Sequence, residues 1–172
     1  MTDCDICKIL ENKQAFRLVH EDDKCFAILH ESPAVPGHTL LIPKNHSPIF
    51  EEIPDDIISH LSEISNSISV KLFETLNAQG TNIIINNGID AGQEMPHFLI
   101  NIIPRKEGDG LNLQWEPKSV GQEELEKSLS MLKIFENIFS GEEYKRVTIK
   151  EEEPEETEEE EDYTVKQLHR IP

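Results

Sequence analysis

No run of about 18 apolar residues occurs anywhere in the chain, which excludes a transmembrane helix. The opening Met1-Thr-Asp-Cys-Asp5 lacks the basic and apolar regions of a secretory signal, so a cytoplasmic protein is expected. Cysteine is scarce. There are three among 172 residues, two of them separated by only two positions, which does not make a disulfide framework. Positive charge is also short: 16 Lys and Arg stand against 34 Asp and Glu, for a formal net charge of −18. That balance opposes long-range attraction to a phosphate backbone, so direct nucleic-acid binding is not expected. Internal repeats are missing too.

The acid excess is uneven. Residues 151–162 hold ten acidic side chains and no basic one. Like charges that bury nothing cannot offset chain entropy, so a disordered acidic linker is expected there. Beyond it, Val165 and Leu168 stand among Lys166, His169 and Arg170, making residues 163–172 either a short interaction motif or, more plainly, a frayed end.

The rest reads as one compact domain with extras. Cys4-Asp-Ile-Cys7 leads into a short helical turn. Phe16–His20 and Cys25–His30 read as strands around the charged turn Glu21–Lys24. Two prolines and Gly37 set a loop, then His38–Pro43 gives a third strand. Between Pro54 and Asn77 the period turns helical: Ile57, Leu61, Ile64, Ile68, Leu72 and Leu76 form one stripe. Pro54 suits a first helical position and Asp55 and Asp56 the positive end of the helix dipole; Gln79-Gly80 is the expected stop. Thr81–Asn86 reads as a fourth strand and Gly92–Arg105 as a fifth, closed by Pro104. On that strand His97, Leu99, Asn101 and Ile103 share one face, with Phe98, Ile100 and Ile102 directed to the core. Gly108-Asp-Gly110 is a turn. Gln122–Phe139 reads as a further C-terminal helix with Leu125, Leu129, Leu132, Phe135 and Phe139 on one side.

Cys4 and Cys7 have the spacing that lets two thiolates reach one tetrahedral zinc, and His46 and His97 are the best candidates for the other two ligands. Such a closed Cys2His2 shell is the signature of a structural ion. A redox dithiol is the alternative, although the pair follows no strand of a βαβ unit. Cys25 is most simply a small buried apolar residue.

Together with Cys4-x-x-Cys7, the runs Pro36-Gly37-His38-Thr-Leu-Leu-Ile-Pro43-Lys44-x-His46, Asn86-x-Gly88, Ala91-Gly92-Gln93 and His97 leading to Ile103-Pro104-Arg105 carry a resemblance over about residues 4–110. The sequence resembles the histidine triad (HIT) proteins of the zinc-containing branch. The resemblance implies an α+β fold: an antiparallel sheet packed by one long helix, dimerised side by side as a homodimer. It implies structural zinc on Cys4, Cys7, His46 and His97. With the helical pattern and charge run that follow it, the chain divides into a HIT-like zinc-containing domain (1–116), a C-terminal helical extension (117–150), the acidic linker (151–162) and the short end (163–172).

What departs from that family is the catalytic run. Its enzymes carry His-φ-His-φ-His, whose middle histidine attacks the α-phosphate of a nucleotide. Here the run is His97-Phe-Leu99-Ile-Asn101. Leu99 has no lone pair to attack phosphorus, and Asn101 hydrogen-bonds but supplies no proton near neutral pH. His30 stands where the family has an acid for the ribose hydroxyls. Glu94 stands where a small polar residue lies near the phosphate, and its charge repels an anionic ligand. The resulting expectation is a pseudoenzyme, a zinc-binding HIT scaffold acting as an interaction module whose acidic tail seeks a basic partner. Two alternatives stand beside it. One is a purine-nucleotide sensor using a vestigial cleft of Asn86, Gly92, Gln93 and His38. The other is a residual phosphoramidate hydrolase or nucleotidyl transferase using His30 or His38 as a displaced nucleophile.

Overall fold

The computed structural model describes residues 4–11 and 16–133. The described residues fall into two units divided between Gln114 and Trp115. The first unit holds helix α1 (Asp5–Glu11), strands β1 (Leu18–Glu21), β2 (Cys25–Leu29) and β3 (Thr39–Pro43), helix α2 (Asp55–Leu76), and strands β4 (Gly80–Ile84) and β5 (Ile100–Arg105). Short 3-10 turns occupy Phe50–Glu52 and Ile89–Ala91. All pairings are antiparallel, in the order β1-β2-β3-β5-β4.

The sheet is covered on both faces, which the alternation of its central strands dictates. Cys25 and Ala27 of β2, Leu41 of β3, and Ile100 and Ile102 of β5 join the core with Ile57, Leu61, Ile68 and Leu72 of α2. The intervening residues Phe26, Ile28, Leu40 and Ile42 face the other way and pack against Cys4 and Ile6. The long helix is thus matched by a second cover, the N-terminal segment with α1. Burying the four apolar side chains of the α2 stripe contributes about 6–12 kcal/mol before entropy is counted. Leu61, 1% exposed, is the position where a charge would unseat the helix.

Several boundaries differ from the sequence reading, β1 and β4 by one to two residues among them. Pro54 is the N-cap rather than the first helical residue, with extended backbone (φ −60°, ψ 143°), and α2 begins at Asp55. The helix is stopped by Asn77 in the left-handed region (φ 51°, ψ 41°), ahead of Gln79-Gly80; asparagine tolerates that conformation better than most residues. The fifth strand begins only at Ile100 and runs through Pro104 to Arg105. Gly37 has a φ of +93°, and an added Cβ would lie 2.5 Å from Leu76 Cδ1, so the loop before β3 is pressed onto the last turn of α2.

In the second unit, α3 spans Gln122–Lys133. Leu125, Leu129 and Leu132 share its apolar stripe and are exposed. Phe135, Phe139, the acidic linker and residues 163–172 lie outside the described residues. Among the described residues no helix is long and apolar enough to cross a membrane.

Candidate metal centre and adjoining cleft

Cys4 lies just before α1, and Cys7 lies one turn into it. His46 follows β3, and His97 lies three residues ahead of β5. Their four donor atoms all fall within 4.8 Å of one another, a group able to hold a metal ion. The edges of this figure are informative. Bond lengths of about 2.05 Å to nitrogen and 2.3 Å to sulfur in a tetrahedral zinc site require N···N edges of about 3.3 Å and N···S edges of about 3.6 Å. His46 Nδ1 and His97 Nδ1 are 3.3 Å apart. Cys7 Sγ is 3.4 Å from His46 Nδ1 and 3.8 Å from His97 Nδ1, and Cys4 Sγ is 3.6 Å from His97 Nδ1. The donor set fits the ion in both chemistry and size.

His97 is fully buried, and its second nitrogen is occupied: Nε2–H donates to the Pro43 carbonyl at 3.0 Å. That bond fixes the tautomer, leaving the Nδ1 lone pair directed at the other three donors. Burial lowers the pKa of His97 most; the Pro43 bond acts in the opposite sense and the His46 ring in the same one. The net effect keeps the imidazole neutral, as a ligand must be. Phe98 N–H donates to the Ser47 carbonyl at 2.7 Å, tying the segment that carries His97 to the loop that carries His46.

Beside this cluster lies a cavity of about 170 Å³. Leu99 and Asn101 form its floor, with His97 at one end, so the face predicted for the fifth strand is the cleft face even though regular pairing starts later. Leu40 and His30 close one side; Asn86 and the Gly92–Met95 segment close the other. Glu94 is in the wall, and no lysine or arginine is among the residues lining it.

The amides expected to touch a ligand are already engaged. Gln93 Oε1 accepts from Gly88 N–H at 2.8 Å, while its Nε2 donates to the carbonyls of Pro48 (2.6 Å) and Met95 (2.9 Å). Asn86 Nδ2 donates to the Gly92 carbonyl at 3.2 Å. Asn101 Oδ1 accepts from His38 Nε2–H at 3.1 Å, since His38 Nδ1 takes the Ala34 N–H at 3.3 Å. His38 does not line the cavity. It is buried behind Asn101, and its ring stacks on His30 with centroids 4.6 Å apart. Burial is the main reason its pKa is lowered, with the Asn101 bond opposing and His30 reinforcing. The bracing role of Gln93 has no sequence signal, because a glutamine between two loops looks the same whether it binds a ligand or a carbonyl.

A HIT domain family model matches residues 11–108. An uncharacterized HIT-like protein of Methanocaldococcus jannaschii is 39% identical over 132 residues, covering 73% of this chain and 98% of that one. Adenylylsulfatase HINT3 of Arabidopsis thaliana is 36% identical over 132 residues, 76% of this chain; the match spans 66% of the length of that relative. Among solved structures, a Zn-bound histidine triad family protein from Mycobacterium smegmatis superposes with a TM-score of 0.61 at 30% identity, covering 77% of this chain and 96% of that one.

Proposed function

Because the chain belongs to the HIT domain family, we propose that it is a member of the zinc-containing branch in which nucleotidyl chemistry has been lost and the fold serves as an interaction module. The observation that carries this reading is Leu99 on the cavity floor, at the position of the family nucleophile. A hydrocarbon side chain cannot attack phosphorus or carry a nucleotidyl group. The side chains that would assist it are committed elsewhere: Asn101 is held by His38, and His38 is held by Asn101 and Ala34. Cavity volume argues in the same direction. About 170 Å³ is below the roughly 300–1,000 Å³ of a typical small-molecule site. Glu94, with no cation among the lining residues, disfavours a phosphate there.

Zinc on Cys4, Cys7, His46 and His97 has a structural role in this reading, locking the N-terminal segment to the sheet. Four protein ligands leave no open coordination position for substrate. Partners follow the charge. A homodimer presents two acidic tails (residues 151–162), which steer a basic protein towards the scaffold.

The second reading is a purine-nucleotide sensor. It draws on relatives such as the adenosine 5'-monophosphoramidase of Candida albicans, 32% identical over 136 residues, and on Asn86, Gly92 and Gln93 standing at the cavity wall. Calorimetric titration of the zinc-loaded protein with adenosine and guanosine monophosphates separates the two. No heat at millimolar ligand is expected. Saturable binding tighter than about 100 μM, roughly −5.5 kcal/mol, would overturn the scaffold reading. Turnover of a nucleoside phosphoramidate that disappears on His30→Ala or His38→Ala would restore the enzyme.

A further inference from the structure

A second set of metal-ligating side chains lies away from the cleft, where β1, the turn after it, β2 and α2 meet. Asp22 is its centre. Its Oδ1 accepts the backbone N–H groups of Lys24 and Cys25, each at 2.8 Å, which fixes the carboxylate plane. The other oxygen, Oδ2, is met by three donors from three elements. His20 Nε2 of β1 stands 3.0 Å away, His60 Nε2 of α2 2.7 Å, and Cys25 Sγ of β2 3.5 Å. The ligating atoms of His20, Asp22 and Cys25 lie within 4.8 Å of one another. Cys25 is fully buried, while the two imidazoles and the carboxylate are partly exposed, giving an ion a route in.

We propose that His20, Asp22 and Cys25, whose donor atoms already lie together, form a second site for a borderline-soft divalent cation such as zinc, completed by His60 when its ring turns in from α2. Two neutral imidazoles, one carboxylate and one thiolate cancel the charge of a divalent ion, so the occupied site is electrically neutral. Without the ion, the carboxylate charge is balanced only by hydrogen bonds. Binding breaks the Cys25 S–H bond and releases that proton to solvent as the metal–sulfur bond forms; nothing is oxidised or reduced. The metal-free thiol is pushed up to about 12, first by burial and then by the Asp22 charge. A cation replacing the proton reverses both effects.

The edges decide how far the site must adjust. A shared zinc requires O···N of about 3.3 Å and O···S of about 3.5 Å. Cys25 already meets its value at 3.5 Å and His20 is close at 3.0 Å. His60 Nε2, at hydrogen-bond length from Asp22 Oδ2 (2.7 Å), lies outside the grouping of the other three donors and reaches a shared ion only by changing its rotamer. The neighbouring cations do not occupy the space. Lys24 pairs with Asp56 at 3.0 Å and Lys44 with Glu21 at 2.9 Å. An ion here ties α2 to the β1–β2 hairpin on the face opposite the Cys4 centre.

The test is metal stoichiometry of the full chain, saturated with zinc and freed of loose ion by gel filtration. The wild type is expected to retain one equivalent more than the double variant His20→Gln/His60→Gln. Equal stoichiometry overturns the proposal, whatever the first centre holds. If the double variant does not fold, Cys25→Ala decides the matter, being small enough for the buried position. In the cobalt-loaded protein it should lose part of the thiolate-to-cobalt absorption while the share from Cys4 and Cys7 remains. Unchanged absorption would refute the site.

Discussion

Removing metal from the Cys4 centre should release α1 and leave the sheet standing. Ordering the eight residues from Cys4 to Glu11 costs about 8–16 kcal/mol at 1–2 kcal/mol each. Ile6 is 1% exposed, and Leu10 is half-buried against Phe26, Ile28, Leu40 and Ile42. Together they return about 3–5 kcal/mol. A seven-residue helix is too short to hold itself in water. The remaining deficit of about 3–13 kcal/mol is comparable to what a structural zinc supplies, about 10–16 kcal/mol. Hydrogen exchange read by mass spectrometry on the wild type, the chelator-treated protein and Cys7→Ser checks this. Amides of α1 should exchange at unprotected rates in the two metal-free samples, while β3 and β5 stay protected. The vacated face of Phe26, Ile28, Leu40 and Ile42 should bind a hydrophobic dye. Equal protection of α1 with and without metal would refute the reasoning, because packing alone would then hold the segment.

Three further outcomes follow from single groups. Ser65 Oγ is buried without a hydrogen-bond partner, so Ser65→Ala should raise stability by about 1 kcal/mol, read as a higher denaturant midpoint. In metal-free protein, burial pulls the Asp22 carboxyl upward, but hydrogen bonds from His20, the Cys25 amide, His60 and the Lys24 amide together hold it far below the usual carboxylate range. The unfolded chain then binds the proton more readily, so stability is full above a pH of about 4 and drains as pH falls below it. The acid limb of an Asp22→Asn unfolding profile should be flatter, and an unchanged limb would contradict this. Finally, with its thiol raised to about 12, Cys25 should resist alkylation at pH 8 until the chain is unfolded; peptide mapping after labelling gives the answer.

Much of this architecture is written in the sequence as periodicity. The α2 stripe and the alternation of Phe98, Ile100 and Ile102 against Leu99 and Asn101 follow from the 3.6 and 2.0 repeats; burial agrees except at the end of the stripe, where Leu76 is 39% exposed. Ligand chemistry and spacing point to the four donors of the Cys4 centre, and the fold places those atoms within 4.8 Å of one another. Legibility failed where tertiary hydrogen bonds decide. Nothing local marks Gln93 as a brace between Gly88, Pro48 and Met95, or places His38 behind Asn101 rather than in the cleft. The link between Asp22 and His60 crosses 38 positions and belongs to no periodic pattern. Cys25, read from sequence as merely apolar, is apolar in burial and polar in contact.

The division of labour along β5 bears on how such a chain can change over generations. Ile100 and Ile102 specify the fold, while Leu99 and Asn101 face the cleft. Substitutions at the second pair leave the core with α2 intact, although Leu99 also packs against the cluster around Cys4 and Ile6 and Asn101 is bonded to His38. His97 has no such freedom: buried, bonded to Pro43 and grouped with Cys4, Cys7 and His46, it answers to folding first.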